Sequence, residues 1–138
     1  MTEKARRQQF QELVARRFAF LKTDRGFKQS ERGRGAENSV RYQTQGLTVD
    51  LTFAYPELPF LIVSGDTDGT KRYRFVPSKD KQADALRRRY YRAVEHGGKV
   101  DGLQLAASFL DLQKGAVEDA IEALDAGQPP GSRWSKVT

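Results

Sequence analysis

Between Leu47 and Tyr55 the chain alternates without a break, with Leu47, Val49, Leu51, Phe53 and Tyr55 apolar and Thr48, Asp50, Thr52 and Ala54 small or polar. A period of two belongs to a strand with one face in a core and the other toward water. Helices on both sides of such a strand would bury Asp50 without a partner, at a cost of several kcal/mol. The pattern therefore predicts an antiparallel sheet with helices on one face only.

The flanking segments extend this sheet. Val40 and Tyr42 alternate in the same way before a turn at Gln45-Gly46, and Phe60-Leu61-Ile62-Val63 is a continuous apolar run suited to a central strand. Pro56 and Pro59 bound the connection between them. Asp66-Thr67-Asp68-Gly69 has the composition of a hairpin turn and leads into Arg72-Tyr73-Arg74-Phe75-Val76. Gly26 to Arg32 suits a short edge strand, with Gly33-Arg34-Gly35 as its turn. Four or five strands are expected.

Helical spacing marks both ends of the chain. Phe10, Leu13, Val14, Phe20 and Leu21 predict a helix over Thr2 to Lys22, with Thr2 as N-cap and Gly26 past its end. After Pro77, Ser78 is placed to cap a helix whose Ala83, Leu86, Tyr90 and Val94 form one apolar stripe, stopped by Gly97-Gly98. A third helical region follows Asp101 and runs across Gly115, which leaves open one helix or two with a kink. The fold class is α+β, two-layer, in the order α-β(4–5)-α-α, with residues 1–127 as a single domain. Gln128-Pro129-Pro130-Gly131 is expected to begin a flexible tail over 128–138.

Composition narrows the chemistry. The absence of cysteine removes disulfides, thiolate metal sites and a cysteine nucleophile. The single histidine, His96, falls at the end of a predicted helix, where a cation suits the helix dipole better than it suits catalysis. Asp66-x-Asp68-Gly69 resembles the start of a calcium loop, but the twelfth position is Pro77 where a bidentate glutamate belongs. Gly33-Arg34-Gly35 lacks the lysine of a phosphate-binding loop. Glu118, Asp119, Glu122 and Asp125 crowd one side of the last helix, as a solvated face or an acidic partner surface. No enzyme activity, cofactor or metal is expected. Nor is a membrane span, because no apolar run approaches about 20 residues, and a polar, basic start points to the cytoplasm.

Charge is distributed unevenly. Of the net +6, residues 1–37 carry ten basic and five acidic side chains and residues 71–99 carry ten and three, whereas 38–70 and 100–138 are each acidic. The densest run is Arg87-Arg88-Arg89-Tyr90-Tyr91-Arg92. At 100° per residue, Arg88 and Arg92 point about 140° and 180° from Ala83, and Arg89 about 240°, so all three face water. With Lys71, Arg72 and Arg74 of the preceding strand they form a candidate surface for an anionic partner, on which Tyr91 could stack against a base. The alternative is a solvated helix face in which Asp84 pairs with Arg88. Arg17 projects within about 20° of Phe10, inside the apolar stripe, and Arg87 only about 40° from Ala83. Either these long side chains snorkel to the rim, or they form a buried carboxylate pair or line a groove between helix and sheet.

Phe18-x-Phe20-Leu21, Gly26-Phe27 and Ser39-Val40-Arg41-Tyr42 together resemble small bacterial proteins of unknown function, some grouped with toxin-immunity proteins. The likeness spans Phe18 to Tyr55 and transfers no functional residue. It implies a cytoplasmic α+β protein that works by binding another protein, although immunity proteins against nucleases tend to be acidic and this chain is basic. The expectation is thus a non-catalytic protein-interaction module, immunity-like. The alternative is a nucleic-acid-binding accessory domain using the basic helix and strand.

Overall fold

In the computed structural model, which describes residues 2–31, 38–65, 71–96 and 102–137, the strand over Leu47–Phe53 (β3) buries Leu47, Val49, Leu51 and Phe53 and leaves Thr48, Asp50 and Thr52 half-exposed. Its neighbours keep the same phase. Asn38–Thr44 (β2) precedes it, and Phe60–Ser64 (β4) and Arg72–Phe75 (β5) follow, each antiparallel to the last. The edge strand Lys28–Glu31 (β1) pairs with β2. Six strands in chain order form the sheet, because Trp134–Lys136 (β6) returns after the helices to pair with β5.

That last strand corrects the expectation of four or five strands and of a flexible tail over 128–138. Trp134 is 5% exposed and stands edge-on to Phe75 at 5.5 Å between ring centroids. Val76 N donates to Arg133 O at 2.9 Å and Val137 N to Arg72 O at 2.9 Å. The Arg133 guanidinium reaches Asp119 at 3.0 Å and Asp80 at 3.5 Å. A free edge on β5 and a large aromatic to bury outweigh the disordering composition of Pro129-Pro130-Gly131.

The helices lie on the odd-numbered face of β3. Glu3–Phe18 (α1) is capped by Thr2, whose hydroxyl accepts from Ala5 N at 3.1 Å. It buries Phe10, Val14 and Phe18, and the Phe10 ring meets Phe53, Tyr55 and Tyr90. The predicted single helix to Lys22 is broken at Ala19, and Phe20–Thr23 (α2) is a separate turn that buries Phe20 and Leu21. At Gly26, φ is +70°, a value glycine adopts without strain, and this lets Phe27 N donate to Leu21 O as the chain turns into β1.

Lys81–His96 (α3) begins one residue after Asp80, whose Oδ1 accepts from Gln82 N and Ala83 N at 3.0 and 3.1 Å. Asp80, not Ser78, is therefore the cap; Ser78 lies in a 3₁₀ turn over Pro77–Lys79. Gly102–Asp125 (α4) is one continuous helix across Gly115, packed against both α1 and α3. The turns expected at 33–35 and 66–69, the glycine stop at 97–98 and the side chain of His96 lie outside the described residues. Among the described residues no helix is long and apolar enough to cross a membrane.

Candidate binding face of the sheet

Because all the long helices sit on one side, the even-numbered side chains of β3 and their cross-strand partners form an uncovered face. Register sets its rows. Ser30, Arg41, Asp50, Ile62, Arg74 and Ser135 stand in line across the six strands. Lys28, Gln43, Thr48, Ser64 and Arg72 form the next row, and Ser39, Thr52 and Phe60 a third.

Asp50 is the only acidic side chain among the described strand residues of this face, and Arg41 occupies it. Arg41 Nε donates to Oδ1 at 2.6 Å and Nη2 to Oδ2 at 3.1 Å, a two-pronged pair between half-buried partners. The bond to Asp50 pushes the Arg41 pKa still higher, against partial desolvation. Arg72 and Arg74 meet no carboxylate among the described residues, and Lys79 joins them by donating from Nζ to Ser135 Oγ at 2.7 Å. Beside these cations stands Phe60, 45% exposed, the one large hydrophobic so exposed among the described residues.

The other candidate residues separate from this face. Arg72 and Arg74 leave β5 on the side away from the helices, opposite to Tyr73 and Phe75, whereas Arg88, Arg89 and Arg92 are exposed on α3 in the helical layer. The expected single surface is therefore two, because successive residues of a strand point to opposite faces. Lys71 precedes β5, its carbonyl accepting from Gly65 N at 2.8 Å. On α3, Asp84 takes both Arg87 and Arg88, at 2.6 and 2.9 Å, which includes the expected pair with Arg88.

Tyr91 is anchored through its hydroxyl, with its ring half-buried on the flank of α3. Its hydroxyl donates to Glu57 Oε2 at 2.9 Å and accepts from Leu58 N at 3.0 Å. Neighbouring Tyr90 donates to Pro56 O at 2.6 Å, and the buried Gln113 of α4 donates to Pro59 O at 2.9 Å. Together they tie the β3–β4 connection to the helices. Burial, foremost, pushes the pKa of both tyrosines above the ordinary 10.0.

Arg17 meets Asp111 of α4, Nε to Oδ1 at 2.6 Å, in a close charge contact whose angle is poor for a hydrogen bond. Asp111 is exposed, so this is a rim pair and not a buried one, and Arg87 likewise spends its charge locally on Asp84. The open groove nearby, about 510 Å³, runs between α3 and α4, not between helix and sheet, and is lined by Leu86, Arg89, Ser108 and Asp111 but not by Arg17. The acidic side of α4 is also partly spent, with Asp119 on Arg133 and Glu122 near Arg25 at 3.9 Å. No cluster of three or more metal-ligating side chains occurs among the described residues.

Phe60 and Ile62 were legible only as strand residues, because a continuous apolar run does not say which of its members the core takes. Register decided it, pairing Phe60 with Thr52 and Ile62 with Arg74.

The molecule is thus a two-layer α+β protein with an open, cationic sheet face. No protein-family model, curated protein or solved structure matches the chain.

Proposed function

We propose that the protein is a non-catalytic binding module whose working surface is the uncovered face of the sheet, and that its partner is anionic. The observation that carries this is the pair Arg72 and Arg74, which meets no carboxylate among the described residues, on a face whose one described strand carboxylate is already occupied by Arg41. Two residues apart on one strand, their Cα atoms lie about 7 Å from each other. Like charges at that spacing repel by about 1 kcal/mol in a wet surface environment. An anionic partner removes that repulsion. A protein with an acidic surface would satisfy the same face, in line with the protein partner that the immunity-like resemblance implies.

The test is retention on immobilised heparin, a generic polyanion. Arg72→Glu/Arg74→Glu is expected to abolish retention, whereas Arg89→Glu/Arg92→Glu, equal in charge change but placed on α3, is expected to keep most of it. The opposite ranking would move the working surface to the helix.

A further inference from the structure

We infer that the anionic partner is a single-stranded nucleic acid that crosses β4 and β5 with a base stacked on Phe60, an assignment that rests on the sheet-face reading above. Charge alone does not choose among polyanions; Phe60 does. A phenyl ring left half in water forgoes burial that the rest of the apolar core obtains, and it lies on a strand inside the sheet, not in a loop or at an edge.

Its neighbours suit a nucleotide chain. Phe60 stands opposite Thr52, and Arg74 stands opposite Ile62, so Phe60 and Arg74 are diagonal neighbours across β4 and β5, about 7 to 8 Å apart. Arg72 continues the line opposite Ser64, and Lys79 flanks it beyond Arg74 at Ser135. One aromatic ring with cations running away from one side offers a stacking platform and a phosphate track. Thr48 and Thr52 add half-exposed hydroxyls along β3. A duplex hides its bases, and its major groove admits a helix or a two-stranded ribbon but not the breadth of a six-stranded sheet, so a base can reach Phe60 only when unpaired.

The experiment is fluorescence anisotropy with labelled oligothymidine of about 15 nucleotides, set against a duplex of equal length, polyglutamate and heparin, at roughly 50 to 200 mM salt. The full chain is expected to prefer the single strand. Phe60→Ala is expected to weaken that binding about ten-fold while leaving heparin binding unchanged. Arg74→Ala is expected to reduce the slope of log affinity against log salt by roughly 0.7. Phe60→Trp supplies a second readout, quenching of its emission when oligothymidine binds.

If polyglutamate or the duplex binds as well as oligothymidine and Phe60→Ala changes nothing, the single-strand assignment is wrong and the cationic face stands, with an acidic protein as its occupant in the first case and a duplex in the second. If neither heparin nor any oligonucleotide binds at the lowest salt, the sheet-face reading fails with it.

Discussion

Asp50 decides which arginines of the sheet face are free. It lies directly across from Arg41 in the β2–β3 register, and it also neighbours Ile62 and, diagonally, Phe60. Removing its charge should have two opposed effects. In Asp50→Asn the Arg41 guanidinium loses a half-buried, two-pronged partner, and the free protein is expected to lose about 1 kcal/mol in urea unfolding. The released cation adds to Arg72 and Arg74, so affinity for oligothymidine should rise in the same variant, by roughly the ten-fold per contact of a charge-assisted bond. Loss of affinity alongside loss of stability would place the anion elsewhere. Part of this was legible in the sequence: the alternation around Asp50 identified it as a residue that must see water, and hence the face as open. Arg41 as its partner was not, because a cross-strand pair depends on register, and a shift of one residue would have turned Arg41 toward the core.

Two elements carry more than their own periodicity announced. Helix α3 was legible as an amphipathic helix from Ala83, Leu86 and Tyr90, but its two tyrosines also hold the β3–β4 connection through their hydroxyls. Tyr90 is the more buried, and its pKa is pushed well above 10.0 in the fold. The folded protein therefore keeps this proton at pH values where the unfolded chain releases it. Its contribution to stability is fully present below about pH 10 and is lost as pH rises from there toward the folded value. Tyr90→Phe, which lacks both the hydroxyl bond and the titration, is expected to be about 1 kcal/mol less stable than the parent at pH 8. That gap should narrow at about pH 11, as measured by urea unfolding at the two pH values; a constant gap would mean that Tyr90 does not titrate differently in the two states. Strand β6 poses the opposite problem. It holds a single aromatic among polar residues, after two prolines and a glycine, so no period exists to be found. Its anchor is tertiary: Trp134 fills space beside Phe75 and Arg133 bridges the capping residue of α3 to α4. Trp134→Ala is accordingly expected to cost about 3 kcal/mol or more, and to expose the edge of β5 to intermolecular pairing, seen as concentration-dependent aggregation in light scattering.

At the scale of the whole molecule, the positive charge is dense in residues 71–99 yet does not gather on one surface. The segment passes from a strand into a helix, and the sheet lies between the outward side of β5 and the helical layer. Arg72, Arg74 and Lys79 are consequently presented on the uncovered face, and Lys81, Arg87, Arg88, Arg89 and Arg92 on α3, where Asp84 already spends two of the arginines. Segregation along the chain was readable from the sequence; separation in space was not, since it depends on which face of β5 the odd-numbered residues take. One consequence concerns the free protein. Arg72 and Arg74 stand on the uncovered face, and they repel each other and the excess charge of the chain, whose net is +6. Like charges held this close detract from stability. Arg72→Thr/Arg74→Thr, which lowers the net charge from +6 to +4, should therefore melt higher than the parent at low salt, by about 0.5 to 1 kcal/mol. Screening should erase most of the difference as salt approaches roughly 1 M, where the Debye length falls to about 3 Å. A variant no more stable than the parent at low salt would mean that these cations are already neutralised within the fold, leaving the sheet face without the uncompensated charge on which the proposed anion binding rests.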